Sequence, residues 1–139
     1  MTIANMERLK HDITTHEGVR LTPYRDSVGK LTIGVGRNLD DRGLTPAEVD
    51  FLLDNDIAIA IEDARVVVDG FDRLSVLQQE GVVEMAFNLG RSRLSTFKRM
   101  IAALNRGDGA AAAREALDSR WAAQVGGNRA NAIADKLKG

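Results

Sequence analysis

The feature that most limits the possible folds is an abrupt change of pattern over residues 18–36. Before this stretch, apolar residues recur at helical spacing over residues 3–13, which predicts a first helix that begins after Thr2 and ends near His16. The stretch itself is interrupted by glycine and rich in β-branched and aromatic residues, and Pro23 is incompatible with a helix interior. The chain is therefore predicted to combine helices with a small β element.

Two short β-prone runs flank a polar turn within this stretch. They cover roughly residues 20–25 and 30–36, and the Asp26-Ser27-Val28-Gly29 segment between them is typical of a turn. We therefore predict a β-hairpin. The polar segment over residues 37–43 is predicted to be a loop, with room for a short third strand.

From Thr45 onward the pattern is helical. Thr45-Pro46-Ala47-Glu48 combines an N-cap, a proline at the first helical position and a capping box, and predicts a long helix over about residues 46–67. A second capping box, Ser75 with Gln78, predicts a helix that ends near Leu89. Further helices are predicted over residues 95–105 and 109–118, around Trp121, and over residues 128–137.

This order of elements predicts an α+β fold that is mostly helical. A chain of 139 residues has the length of one domain. We expect a small lobe over about residues 17–56 and a bridging helix over about residues 46–67. A helical lobe is expected over about residues 70–139, with the first helix packed on it.

Composition excludes several kinds of site. The chain has no cysteine, so it can form neither a disulfide framework nor a thiolate nucleophile. His11 and His16 are five positions apart and cannot share a helix face as a His-x-x-x-His metal pair does. The segment from Asp54 fails as an EF-hand loop, because its sixth residue is Ile59 and its twelfth is Arg65. No metal and no cofactor are therefore expected.

Charge is distributed unevenly along the chain. Residues 1–69 carry 8 basic and 13 acidic residues, a net charge of −5, whereas residues 70–139 carry 11 and 7, a net charge of +4. A basic half is suited to an anionic polymer such as nucleic acid or cell-wall material, and chance asymmetry is the alternative.

No apolar run approaches the roughly 20 residues that a membrane-spanning helix needs, so stable membrane insertion is not expected. Glu7 and Arg8 stand where a signal peptide has its apolar stretch, so no Sec-type export is expected.

Two carboxylates and a hydroxyl within residues 17–32 form the main candidate site. Glu17 falls at the end of the first helix, where the unpaired carbonyls disfavour a negative charge, whereas Asp26 lies in a polar turn that keeps it ionised. Thr32 lies nearby on the return strand, where Gly34 and Gly36 let a substrate approach the backbone. One carboxyl as acid and one as base is what glycosidic cleavage requires. A plain hairpin with two surface carboxylates is the alternative, and spacing alone does not decide.

The order of residues in this segment follows the pattern E-G-x-R-L-x-x-Y-x-D, a short gap, and G-x-x-T-x-G-x-G, from Glu17 to Gly36. In this it resembles the active-site segment of the phage-type lysozymes. Later landmarks extend the resemblance over essentially the whole chain, namely Leu44-Thr45, Phe87-Asn88-Leu89-Gly90, Ser119-Arg120-Trp121 and Asn128-Arg129-Ala130.

The resemblance implies a lysozyme-like fold and hydrolysis of the β-1,4 bond between N-acetylmuramic acid and N-acetylglucosamine in peptidoglycan. It implies that Glu17 is the general acid, Asp26 the second catalytic carboxylate and Thr32 the residue that positions the attacking water. Substrate-binding roles are implied for Gly34, Leu39, Phe87, Asn88 and Arg129. The expected partner is then peptidoglycan, and no binding to nucleic acid is expected. The protein is expected to be a monomer that is made in the cytoplasm of a bacterial host and acts on the periplasmic wall.

The chain also departs from the family. Histidine often follows T-x-G-x-G there, whereas this chain has Arg37, for which we predict an ion pair with Asp56.

Three alternative functions stay open. A lytic transglycosylase would use the same acid without a bound attacking water, and a degenerate relative would bind the wall without cleaving it. A nucleic-acid-binding helical domain is more distant, because the chain lacks a basic helix interleaved with aromatic residues.

Overall fold

The computed structural model describes residues 1–139 and contains seven helices and a three-stranded antiparallel sheet. The mostly helical α+β class is therefore confirmed. The elements in chain order are α1 (Ile3–Glu17), β1 (Arg20–Arg25), β2 (Leu31–Gly34), β3 (Arg37–Asn38), α2 (Pro46–Val67), α3 (Val76–Leu94), α4 (Lys98–Asn105), α5 (Gly109–Leu117), α6 (Arg120–Val125) and α7 (Gly127–Lys138). None of the helices combines the length and hydropathy that a membrane span requires.

The chain divides into two compact units, residues 1–50 and residues 51–139, with the boundary inside α2. Helix α2 has its predicted bounds, and α1 belongs to the first unit. The packing of the first helix on the helical lobe, like the lobe boundaries over residues 17–56 and 70–139, stays a prediction.

In the first unit, a glycine ends α1 and a tight hairpin follows. Gly18 has a φ of 76° and its amide donates to the Thr14 carbonyl at 2.8 Å, which closes the last turn of the helix. Strands β1 and β2 pair with Arg25 facing Leu31, so that only residues 26–30 form the turn. Strand β3 adds to β2 and confirms the short third strand.

Helix α2 begins as the capping box predicts. The Thr45 hydroxyl accepts the Glu48 amide at 3.2 Å, and the Glu48 carboxylate accepts the Thr45 amide at 2.9 Å. Because both hydrogen bonds are local, residues 45–48 are sufficient to predict where the helix begins.

The apolar core lies in the second unit and is rich in small residues. Its largest fully buried side chains include Met85, Leu94, Met100 and Leu137, and they interdigitate with many buried alanines. Small residues let the helices approach closely: a Cβ added at Gly109 in α5 would stand 2.8 Å from the Leu137 carbonyl in α7.

The predicted end of α3 at Leu89 is only partly correct. Gly90 has a φ of 79° and kinks the helix as a C-terminal glycine does, but the chain resumes a helical path that reaches Leu94.

The predicted start of the next helix at Ser95 is wrong. The hydroxyls of Ser95 and Thr96 donate to the carbonyls of Ser92 and Arg93, both at 2.6 Å, so these side chains close the preceding turn instead of capping a new helix. Helix α4 accordingly begins at Lys98.

Candidate active site

Glu17 is the last residue of α1, and its side chain is exposed. Its carboxylate lies against Gly36, which follows β2 and has a φ of 69°. A Cβ added at Gly36 would stand only 3.1 Å from Glu17 Oε2. The missing side chain at this position therefore lets the carboxylate lie directly against the hairpin backbone.

Asp26 begins the hairpin turn, and one of its carboxylate oxygens accepts two backbone hydrogen bonds within the turn. Asp26 Oδ1 accepts the backbone amides of Val28 at 3.0 Å and Lys30 at 2.8 Å. This is an Asx-turn, which explains why aspartate suits the position. Asp26 Oδ2 accepts no hydrogen bond within the protein, so it is available to a ligand or to water.

Thr32 lies on β2 opposite Tyr24 and is the one buried polar side chain, with 3% of its surface exposed. Its hydroxyl donates to the Lys30 carbonyl at 2.9 Å. Because the proton is directed to this carbonyl, the lone pairs of Thr32 Oγ1 remain able to accept a hydrogen bond.

Gly34 is the last residue of β2, and Leu39 directly follows β3. Gly34 has a φ of 69°, and a Cβ added there would meet nothing within 4 Å, so this part of the backbone is open to approach. The Leu39 amide donates to the Leu31 carbonyl at 2.7 Å and holds the following loop against the hairpin.

Two carboxylates in that loop were not identified from the sequence. Asp40 Oδ2 accepts the Leu31 amide at 2.8 Å, and Asp41 Oδ1 pairs with Lys30 Nζ at 3.0 Å. The hydrogen bond from Lys30 lowers the pKa of Asp41. The only signal in the sequence is a pair of adjacent acidic residues in the polar segment over residues 37–43, which does not specify the contacts.

Arg37 pairs with Glu48, so the predicted ion pair between Arg37 and Asp56 is wrong. The guanidinium contacts both carboxylate oxygens of Glu48, at 2.9 and 2.7 Å, and also donates to the Gly43 carbonyl at 3.1 Å. The loop after β3 turns back on itself, so the nearest carboxylate is the capping residue at the start of α2. The Arg37 hydrogen bond, together with those from Thr45, lowers the pKa of Glu48 to about 2.

The remaining predicted site residues lie in the second unit. Phe87 and Arg129 line the same groove, which has a volume of about 570 Å³. Asn88 is exposed, and its Oδ1 accepts a hydrogen bond from Trp121 Nε1 at 3.1 Å, which leaves its amide nitrogen free to donate. The approach of these residues to Glu17 and Asp26 stays a prediction.

No group of three or more histidine, aspartate or glutamate side chains is arranged to hold a metal ion.

Comparison with known proteins identifies a family and a relative. The family model described as phage lysozyme matches residues 14–137. Probable T4-type lysozyme 1 from Dictyostelium discoideum is 26% identical over 156 aligned positions, which cover 91% of this chain and 89% of that protein. The matched range covers most of both units and includes all the candidate site residues.

Proposed function

Because the chain belongs to the phage lysozyme family, and is thereby a lysozyme-like cell-wall hydrolase, we propose that it is a muramidase that hydrolyses the β-1,4 bond between N-acetylmuramic acid and N-acetylglucosamine in peptidoglycan. The observation that supports this most directly is the arrangement of Glu17, Asp26 and Thr32 around one short hairpin. Two carboxylates in different environments, with a hydroxyl able to accept a hydrogen bond from water, meet the needs of glycoside hydrolysis.

Glu17 acts as the general acid in this proposal. Its side chain is exposed and carries no ion pair, so the carboxyl is free to approach a glycosidic oxygen and protonate it as the bond breaks. Gly36 supports this role because it leaves space for the carboxyl on the hairpin side.

Asp26 acts through its free oxygen. The amides that bind Oδ1 fix the plane of the carboxylate, and the negative charge stabilises the oxocarbenium-like transition state. Asp26 Oδ2 and Thr32 Oγ1 then hold the attacking water between them. A water at this place requires roughly 6.5–9.5 Å between the two carboxyl groups and leads to inversion at the anomeric carbon.

Substrate contacts are proposed for residues in both units. Gly34 offers open backbone beside the hairpin, and Leu39 contributes an apolar contact from the following loop. Phe87, Asn88 and Arg129 contribute an aromatic face, a free amide donor and a cation. Each of these groups suits part of a glycan that carries acetamido groups and acidic peptide side chains. The enzyme would act as a monomer on the periplasmic wall and lyse the cell.

Digestion of purified peptidoglycan with mass analysis of the products tests the proposal. We expect fragments with reducing N-acetylmuramic acid ends. Anhydromuramic ends would identify a transglycosylase instead, and binding to the peptidoglycan without any product would identify a wall-binding relative.

A pair of glutamate variants on α1 tests the acid. Glu17→Gln keeps the shape but removes the proton, so the rate should fall by roughly 10²–10⁴-fold. Glu7→Gln is the matched control, since Glu7 is an exposed glutamate on the same helix that only pairs with Lys10 at 3.8 Å. Normal cleavage by Glu17→Gln would refute the role of Glu17.

A further inference from the structure

Asp40 joins the two sides of the hairpin at the base of its turn. One oxygen, Asp40 Oδ2, accepts the Leu31 amide at 2.8 Å and lies 3.5 Å from Arg25 Nη1. Arg25 and Leu31 face each other in the strand register, and only residues 26–30 lie between them. Asp40 therefore fixes the last pair of strand residues before the turn that begins with Asp26.

The hydrogen bonds that orient Asp26 depend directly on this pair. The Lys30 amide, which donates to Asp26 Oδ1 at 2.8 Å, immediately precedes Leu31. On the other side of the turn, Arg25 Nη1 also donates to the Gly29 carbonyl at 3.2 Å. A shift of the backbone at Leu31 would therefore move the donor that sets the direction of the Asp26 carboxylate.

The neighbouring carboxylate, Asp41, contacts the same turn in a different way. Asp41 pairs with the flexible end of the Lys30 side chain, and Asn38 holds it from the other side. Its side chain is 59% exposed, compared with 41% for Asp40. Exposed ion pairs between flexible side chains contribute little to structure, so Asp41 provides a matched control for Asp40.

We propose that Asp40 is a positioning residue for Asp26, because its one oxygen holds the backbone amide of Leu31 and the guanidinium of Arg25 at the base of the catalytic turn. This inference rests on the proposed function, in which Asp26 Oδ2 contacts the transition state. Asp40 itself does not touch the substrate, and it acts through the orientation of Asp26.

Three variants separate positioning from simple stability. Asp40→Ala should lower kcat on soluble peptidoglycan fragments by roughly tenfold with little change in KM, because a small misplacement of a catalytic group costs rate rather than binding. Asp40→Asn retains an acceptor oxygen for the Leu31 amide and should recover most of that loss. Asp41→Ala should leave kcat unchanged.

Amide hydrogen exchange gives a readout that does not depend on activity. We expect the Lys30 amide to exchange faster in Asp40→Ala than in the unmodified protein, and at an unchanged rate in Asp41→Ala. All variants are assayed well below their thermal midpoints, so that loss of folded protein does not contribute to the change in kcat.

Asp26→Asn is measured in parallel to separate the two hypotheses. If Asp26→Asn is inactive while Asp40→Ala keeps normal kcat and normal Lys30 exchange, the positioning role is wrong and the proposed function stands. If Asp26→Asn keeps normal activity, the catalytic role of Asp26 fails and the inference fails with it. An equal loss in Asp40→Ala and Asp41→Ala would also overturn the inference, since it would indicate a general charge effect.

Discussion

The two units of the molecule are stabilised by different kinds of interaction. Every buried apolar side chain lies in the second unit, whereas the only buried polar side chain, Thr32, lies in the first. The first unit is held by carboxylates that accept backbone amides and by ion pairs, as at Asp26, Asp40 and Glu48. The second unit also contains ion pairs, but its apolar core makes it depend on volume and shape. The first unit has no such core and depends on the identity and charge of a few residues.

This difference predicts where a large loss of stability will occur. Leu137 is fully buried in the second unit, and Leu137→Ala should lower the free energy of unfolding by about 2–5 kcal/mol. Leu21→Ala removes the same atoms from a side chain that is 89% exposed in the first unit and should change stability by at most about 0.5 kcal/mol. Denaturant unfolding compares the two, and equal losses would contradict the assignment of the apolar core.

A pair of glycine variants tests whether activity depends on the space that Gly36 leaves beside the Glu17 carboxylate in the first unit. Gly36→Ala places a Cβ 3.1 Å from Glu17 Oε2 and should lower activity about 10–100-fold by displacing the acid. Gly107→Ala in the second unit has a similar φ, 80°, with open space around the new Cβ, so it carries the backbone strain alone. That strain is about 1–2 kcal/mol for either variant.

Thermal unfolding and peptidoglycan turnover separate the two glycine effects. Both variants should lose stability, and only Gly36→Ala should lose activity when assayed at a temperature where it is folded. Full activity in Gly36→Ala would mean that the Glu17 carboxylate adjusts to the added Cβ, and would contradict the expected displacement of the acid.

Thr32→Val should give a smaller effect, because it removes one hydroxyl without changing volume. The loss of a single hydrogen bond corresponds to roughly tenfold in rate. Thr96→Val is the control in the second unit, since its hydroxyl also donates to a carbonyl, that of Arg93 at 2.6 Å. Initial rates on purified peptidoglycan should fall for Thr32→Val and remain normal for Thr96→Val. Equal rates for the two would exclude a water-positioning role for Thr32.

The smallest expected effect is the pH dependence of the Arg37–Glu48 pair. Because the pKa of Glu48 is lowered from 4.5 to about 2, the pair contributes its full stability above pH 4.5 and loses it as the pH falls to about 2. Glu48→Gln should flatten this part of the stability profile, whereas Asp56→Asn should leave it unchanged. An effect of Asp56→Asn equal to that of Glu48→Gln would contradict the observed pairing.

The sequence predicted those parts of the structure that are set by neighbours along the chain. Thr45 and Glu48 are three residues apart, and the turn after Asp26 is closed by residues 28 and 30, so both followed from local patterns. Ser95 was misassigned because a hydroxyl can bond to the preceding turn as readily as cap the next helix.

Contacts between distant residues were not predictable in the same way. The bond from Leu31 to Asp40 spans nine residues, and the bond from Arg37 to Glu48 spans eleven. Each depends on the path of the loop between β3 and α2, which no local pattern specifies. The three proposed catalytic residues were identified because they lie within one short stretch of sequence, residues 17–32. Asp40 was missed because its contacts form only when that loop is in place.

The choice of arginine at position 37 determines the range of acidity over which the loop stays anchored. Arginine remains charged at any pH that a living cell encounters, and Glu48 remains ionised down to about pH 2. A histidine at the same position would be stabilised by Glu48 only in its protonated form, so the anchor would weaken as the pH rose above the neutral range. The single substitution Arg37→His would thus replace an ion pair that persists at alkaline pH with one that is lost there.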